Sequence, residues 1–341
     1  MAISSVLGSS ALLPAGLGFR NVLINGAMTV YQRGASSTTS LASSFACDRW
    51  NNFRGGAVSG ITVSRQTAGL TGFQYCSRIQ RDSGNTATNA LYFVQNIESI
   101  NSIPLAGKQV TLSFWARAGA NYSASSGALR SSVEYATSTD SNYYTIGDGS
   151  STTVVSQNNT LTTTWQYFSM PATIAASQTQ VFVGFKFTPV GTAGAADYIE
   201  ITGVQLEQNY QPTPFEQRPY GVELGMCQRY YETSYNGVPA GTNTAVGVVY
   251  ASGSTDAYQS FVLPSPLWLT LKRATPTVTV YSLAGTVNKW NCSRSGVSDT
   301  EITVSNSGGY ASPRSQLLYI STSAAFVAAT GYGHFVASAE L

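Results

Sequence analysis

The chain has 341 residues, of which 43% are hydrophobic and only 10% charged, with 32 glycines and 20 tyrosines. Its net charge is +2, from 18 basic and 16 acidic residues without a block of like sign. That excludes the clustered Lys and Arg a nucleic-acid backbone requires, and no run of 18 apolar residues provides a membrane-spanning helix. Thr, Val, Tyr and Phe favour pleated surfaces, and Gly and Ser supply turns, so the composition predicts an all-β protein with many short strands.

Residues 1–20, MAISSVLGSSALLPAGLGFR, are apolar but carry no basic leader segment and are interrupted by Gly, Ser and Pro14. They read as an extended arm that docks on another protein, not as a signal peptide. Strand signals begin at residue 21. NVLINGAMTVYQRG alternates around an Asn25-Gly26 turn, and GITVSRQTAG and FQYCSRIQR follow with a period of two. NALYFVQNI is a continuous apolar strand. KQVTLSFWARAG sets Val110, Leu112, Phe114 and Ala116 on one side, with Thr111, Ser113, Trp115 and Arg117 on the other. TWQYFSM, TQVFVGFKF and DYIEITGVQLEQ continue the alternation. Residues 121–163 are rich in Ser, Thr, Asn and Gly and predict a loop pair or edge hairpin, with Tyr143 and Tyr144 on the rim of a binding face.

The segment TPFEQRPYGVELGMCQRYYE, residues 213–232, stands apart, with Glu216, Arg218, Glu223, Arg229 and Glu232 in a charge-poor chain. Pro214 biases Thr213 towards extended backbone, and Pro219 suits a first helical turn. The spacing predicts a helix of three to four turns with an apolar stripe of Val222, Met226 and Tyr230. A second row is Glu223, Cys227 and Tyr231. Asn236-Gly237 and Pro239 end it. From residue 245, AVGVVYASG through GYGHFVASAEL read as about seven more strands, the last running to the final residue. The expected organisation is an arm (1–20), a first sandwich (21–212), a linker with a short helix (213–236) and a second sandwich (237–341). The fold class is thus all-β, with two jelly-roll-like β-sandwich domains joined by one short α-helix. The helix residues Arg218, Val222, Glu223, Met226, Cys227, Arg229, Tyr230 and Tyr231 are expected to form a joint between the domains or between subunits.

Chemistry-bearing constellations are sparse. Cys47, Cys76, Cys227 and Cys292 form no CxxC pair, and they read as reduced thiols, with a Cys47–Cys76 bridge left open. His334 is the single histidine and no GxSxG elbow occurs, so no nucleophilic relay is expected. Glycoside hydrolysis needs two facing carboxylates, for which Asp140, Asp148 and Asp256 are the solvent-facing options, each read here as a turn residue. No metal and no cofactor is expected, and no catalytic residue is assigned. Trp115, Tyr143 and Tyr144 are the candidate glycan contacts, since aromatic rings stack on the C–H faces of sugars. For Trp115 a core or interface role is the favoured reading, whereas Tyr143 and Tyr144 divide evenly between loop packing and ligand contact.

Taken together, NVLINGAMTVYQRG, Asp48-Arg49-Trp50, VTLSFWARAG, IEITGVQLEQ, TPFEQRPYGVELGMCQRYYE, RATPTVT and the closing SAEL resemble virion proteins of tailed bacteriophages, of the tail-fibre or minor structural type. VTLSFWARAG and YIEITGVQLEQ also resemble the jelly roll of carbohydrate-binding modules. The resemblance implies a non-enzymatic tail-fibre or host-attachment protein, assembled in the host cytoplasm into the virion. It further implies a homotrimer, docking on other virion proteins through the arm and contacting host surface glycan. The alternatives are a capsid-decorating or head-fibre protein and a polysaccharide depolymerase. Many such jelly rolls hold a structural calcium on an acidic residue near the first strand. Here those positions read Met28-Thr29, which leaves Glu200 alone and argues against a metal.

Overall fold

The structure is a computed structural model that describes the chain apart from residues 1–18, 40–42, 58, 147–149, 254–259, 263–267, 295–296, 306–311, 316–318 and 322–328. The expected arm therefore lies outside the described residues but for Phe19 and Arg20. Asp148 and Asp256 lie outside them as well.

The first half is a two-layer β-sandwich. Its strands, in chain order, are β1 (Ser36–Thr39), β2 (Asn51–Arg54), β3 (Ile61–Leu70), β4 (Phe73–Arg81), β5 (Leu91–Asn96), β6 (Gln109–Ala118), β7 (Ala128–Ala136), β8 (Thr152–Thr160), β9 (Gln166–Thr173), β10 (Gln180–Phe187) and β11 (Tyr198–Glu207). One sheet is six-stranded, in the order β1-β3-β4-β11-β6-β9, and the other is five-stranded, in the order β2-β5-β10-β7-β8. Alternation places Val110, Leu112, Phe114 and Ala116 of β6 inward, fully buried, against Val181, Val183 and Phe185 of β10. Trp50 fills the centre, its ring stacked on Phe93 with centroids 4.8 Å apart. Burying such rings is the main favourable term, at roughly 25 cal/mol per Å².

Two single-turn helices, α1 (Ser99–Ser102) and α2 (Tyr143–Ile146), decorate the sandwich, and α3 (Tyr220–Gln228) follows it. The second β unit contains β12 (Tyr231–Thr233), β13 (Val249–Gly253), β14 (Ser260–Val262), β15 (Thr277–Tyr281), β16 (Lys289–Arg294), β17 (Val297–Ser305), β18 (Tyr319–Ser321) and β19 (Ala329–Ser338). It is organised around β19. The first half of β19 pairs with β13 and β16, and its second half with β12 and β15. The partner change falls near Gly333, where a Cβ would sit 2.6 Å from both Trp290 Cδ1 and the Tyr281 carbonyl, so only glycine fits. Trp268, Val278, Val280, Trp290, Cys292, Phe335 and Ala337 form the core of this unit. All four cysteines are buried free thiols, so the Cys47–Cys76 bridge does not form.

Two local expectations are corrected and one is met. NVLINGAMTVYQRG forms no strand. Asn25 adopts a left-handed backbone (φ 57°), and its side chain holds the segment as a knot, accepting from the Thr29 and Val30 N–H groups and donating to the Val30 and Asp48 carbonyls. The polar 121–163 region does form an edge hairpin, β7 and β8 at the end of the five-stranded sheet, and β7 also buries Leu129 and Val133 in the core. The last strand stops at Ser338, and Ala339–Leu341 leave the sheet to dock on the first sandwich.

That docking is ionic and aromatic. Glu340 accepts from Arg33 Nη2 at 3.0 Å and from Arg49 Nη1. Asn96 and Asn142 donate to the Leu341 main-chain oxygen at 3.1 and 2.6 Å. The Arg49 guanidinium lies 3.5 Å over the Tyr230 ring and that of Arg33 lies 3.4 Å over Tyr231. Arg33 also pairs with Asp48 at 3.1 Å, and Gln32 Nε2 bridges Asp48 and the Tyr231 carbonyl, each at 2.7 Å. Arg49 holds a positive φ of 71°, a conformation non-glycine residues rarely take.

Burial pushes the Asp48 carboxyl up to about 6, a rise that Arg33 and Gln32 only partly offset. Its folded value thus exceeds the ordinary 3.8. The native state binds this proton more tightly, so the stabilisation from Asp48 is complete below about pH 4 and is lost as pH rises to about 6. Comparing urea unfolding of the wild type and D48N from pH 4 to 7 should show their stability difference falling by about 2–3 kcal/mol across that window. A flat difference would remove Asp48 as the titrating group.

Candidate functional site

The helix residues come together, but not in the arrangement the periodicity predicts. α3 has nine residues and ends at Gln228, so Tyr230 lies past its end and Tyr231 begins β12. The buried face is Glu223 and Cys227, whereas Val222 is 39% exposed. Met226 is half-buried and packs with Leu224 around Ile24, Val30, Cys227, Tyr230 and Leu341. The reason is polar. Glu223 accepts from the Asn25 backbone N–H, which turns the carboxylate row of the helix towards the Asn25 knot. Burial raises the Glu223 carboxyl, an effect that the Asn25 N–H and Arg218 only partly offset. Glu216 is the opposite case. Burial would raise it, but the Arg20 and Asn21 N–H groups and Arg218 together leave its carboxyl below the usual range.

Arg218 is the central contact of the linker. Its guanidinium donates to the carbonyls of Asn21 and Leu23 and pairs with Glu216 at 3.1 Å and Glu223 at 3.5 Å. Arg229 reaches Glu98 of the first sandwich at 3.1 Å, and its carbonyl accepts from the Arg273 N–H of the second β unit at 3.0 Å. Arg273 Nε in turn donates to the Ala339 carbonyl at 2.6 Å. Lys272 and Glu232 form a fully buried pair at 2.5 Å beside these contacts.

The open surface lies elsewhere, on the outer face of the six-stranded sheet. Trp115 on β6 faces Tyr167 on β9, their rings 5.2 Å apart and tilted by 53°. On β11 a bulge between Thr202 and Gln205 contains Gly203 at φ 61°. A Cβ there would lie 2.7 Å from the Phe73 ring and 3.1 Å from Trp115 Cδ1, so the two rings close over a bare backbone. Phe73 meets Phe215 of the linker edge-on at 5.2 Å. Phe215, Phe73, Trp115 and Tyr167 thus form an aromatic track across the sheet, from the linker to its edge strand. Tyr167 is 44% exposed, and the other three are half-buried.

An ion triad runs beside the track. Glu200 on β11 lies between Arg78 on β4 and Arg117 on β6 in register. It accepts from Arg78 Nε at 2.8 Å and from Arg117 Nε at 2.6 Å. Each guanidinium also lies over a ring, Arg78 over Tyr198 at 3.9 Å and Arg117 over Trp165 at 4.7 Å. Glu200, the leftover metal candidate, is therefore fully engaged by two cations. The triad keeps one net positive charge at the surface and holds both arginines in fixed positions beside the track.

Tyr143 and Tyr144 do not join Trp115. They sit over the outer face of the five-stranded sheet, on the opposite side of the sandwich. Tyr143 is a buried packing residue, its ring edge-on to Phe182 at 5.5 Å and its hydroxyl donating to Glu134 at 3.1 Å. Tyr144 is half-buried, edge-on to Phe53 at 5.1 Å. Sequence reasoning missed Phe73, Tyr167 and Phe215. The strand parity of TWQYFSM and FQYCSRIQR carried part of that signal, but the Gly203 bulge that aligns Phe73 with Trp115 has no period to announce it. His334 is fully buried and stacked on Tyr235 at 4.1 Å. Its Nε2 faces the Thr244 carbonyl at 2.9 Å, so Nδ1 is assigned as acceptor from Ser234 Oγ at 3.1 Å. Asp140 accepts from the Ser99 N–H at 2.8 Å and pairs with Arg273 at 3.3 Å.

No protein-family profile matches the chain, and no curated protein matches it in sequence. Among solved structures it is similar to the enzymatically active domain of tailspike protein 4 from bacteriophage CBA120, at 14% identity and a TM-score of 0.36. That match covers 55% of this chain and 21% of the tailspike chain, so the chain spans about a fifth of that relative. It is similar to a CBM4 structure at 20% identity and a TM-score of 0.34, over 54% of this chain and 98% of that one. It is likewise similar to the module TmCBM61, solved with beta-1,4-galactotriose, at 14% identity and a TM-score of 0.33, over 56% of this chain and all of that one.

Two sets of substitutions separate these roles. Y143A removes a buried ring and should lower stability by about 3 kcal/mol in chemical denaturation, whereas W115A, on the open face, should cost about 1 kcal/mol. Equal costs would contradict the placement of the two rings. R218A removes the cation shared by buried Glu223 and half-buried Glu216, and the donor to the Asn21 and Leu23 carbonyls, and should cost about 3 kcal/mol, while R229A, one-third exposed, should cost less than about 1 kcal/mol. A larger loss for R229A than for R218A would contradict the central role given to Arg218.

Proposed function

We propose that this protein is a non-enzymatic structural protein of a tailed-phage virion, acting in host attachment by binding cell-surface glycan along the aromatic track. The observation that carries the reading is the track of Phe215, Phe73, Trp115 and Tyr167, flanked by arginines already fixed by Glu200. Sugar rings present flat C–H faces that stack on aromatic side chains, and their hydroxyls bond to oriented donors and acceptors. A ligand of several sugar units could follow such a track across the sheet. The phage assignment is supported by the resemblance of the quoted motifs, and with it we propose a homotrimer docked in the virion through residues 1–20. Among the described residues, the non-enzymatic reading is supported by two carboxylates, since Glu200 is held by Arg78 and Arg117, and Asp140 by Ser99 and Arg273. A general acid needs a carboxyl free to exchange its proton with the glycosidic oxygen.

A glycan array followed by affinity electrophoresis in gels containing the best-bound polysaccharide tests the reading. W115A and Y167A should each weaken binding at least tenfold with unchanged far-UV circular dichroism and no release of reducing ends. Retained binding in both variants would move the glycan site off this face. Released reducing ends would instead establish a depolymerase.

A further inference from the structure

A cavity of about 340 Å³ opens where the first sandwich meets α3 and the turn after β12. Tyr31, Gln32 and Arg65 line it from the first sandwich, Tyr220 and Gln228 from α3, and Asn236 from the turn. None of its nine lining residues is acidic, and Arg65 is its single cation. The Arg65 guanidinium is held in place, with Nη1 donating to the Thr29 carbonyl at 3.2 Å and the group lying 4.6 Å over the Tyr75 ring. Its remaining side-chain donors have no protein acceptor among the described residues. Gln32 is oriented by the two bonds of its Nε2 to Asp48 and the Tyr231 carbonyl, which leaves Oε1 as an acceptor. The side-chain amides of Gln228 and Asn236 likewise have no protein partner among the described residues. Tyr220 is 59% exposed at the mouth.

We propose that this cavity binds one carboxylate-bearing sugar residue. A fixed guanidinium with free donors and no neighbouring acid in the lining favours a carboxylate, which it can engage through two parallel N–H groups. Amides supply both donors and acceptors, matching hydroxyls that both donate and accept. Tyr220 offers an aromatic face for the ring C–H groups at the mouth. The volume is at the lower end for small-molecule sites and takes one or two sugar rings. The three contributing regions meet only when the two β units are docked, so the ligand also stabilises the joint by mass action. This site is independent of the aromatic track and does not rest on it.

The test is isothermal titration of the full chain with D-galacturonate, D-glucuronate, N-acetylneuraminate, D-galactose and acetate, on wild type, R65Q, Y220A and W115A. At least one acidic sugar should bind wild type and W115A equally, bind R65Q at least tenfold more weakly, and bind Y220A several-fold more weakly. Galactose and acetate should each bind at least tenfold more weakly than that sugar. Saturating acidic sugar should also raise the melting temperature of the wild type and not that of R65Q. If R65Q does not fold, Y220A, changed at an exposed position, carries the comparison. Absence of binding by all three acidic sugars at millimolar concentration overturns the proposal. So does unchanged binding in R65Q and Y220A, or acetate binding as tightly as the sugars. Loss of acidic-sugar binding in W115A alone would assign that sugar to the track and overturn the cavity site while leaving the track reading intact.

Discussion

Glu340 accepts hydrogen bonds from two guanidiniums contributed by the far end of the chain, Arg33 and Arg49, and the rest of the molecule is arranged around that contact. Each guanidinium lies on a tyrosine from the segment after α3, so carboxylate, cation and ring form a layered stack. A buried ion cluster of this kind adds little net stability, because desolvating the charges costs about what their attraction returns. Its effect is directional. Only one approach of Ala339–Leu341 to the first sandwich satisfies both arginines, Asn96 and Asn142 together. An apolar patch of the same area would tolerate many approaches.

The same logic explains where a charge-poor chain places its charges. Arg49, Arg54 and Arg81 are among its largest fully buried side chains. Arg81 pairs with Asp197 with both groups completely enclosed. Arg218 holds the start of the first sandwich to the linker, and Lys272 with Glu232 holds the start of the second unit. The sheets offer Ser, Thr and small apolar residues, which pack well but specify orientation weakly. Arginine forks provide that specification, because their planar donor sets fit few geometries.

Strands were the most legible part of the sequence, because a period of two survives wherever one face is buried. FQYCSRIQR and KQVTLSFWARAG fold over nearly the residues that their alternation marks, as β4 and β6. The helix was legible in place and not in face. Of its apolar stripe only Val222 points outward, since a buried hydrogen bond from Asn25 to Glu223 outweighs the burial of one valine. The Asn25 knot was misread as a strand, because a side chain that satisfies several backbone groups leaves no periodic trace. Strand parity put Trp115 and Arg117 on one face, as the structure has them, and Tyr143 was misplaced because a polar neighbourhood concealed a packing ring. Phe73 and Phe215 join the track through a bulge and a linker, neither of which a strand period can encode.

The motifs that carry the phage resemblance divide along the same line. NVLINGAM, Asp48-Arg49-Trp50, the 213–232 segment, Arg273 and the closing SAEL all converge on the joint, where Asn21, Arg49, Arg218, Arg273 and Glu340 touch one another's segments. VTLSFWARAG and IEITGVQLEQ instead supply Trp115, Arg117 and Glu200 to the open face. One group of motifs therefore fixes how the two β units meet, and the other furnishes the surface that the fixed frame presents. The path from the aromatic track runs through Phe215 into the linker that Arg218 anchors. Phe215 is where the two groups meet, since its ring closes the track while its neighbour Glu216 binds the backbone of Arg20 and Asn21.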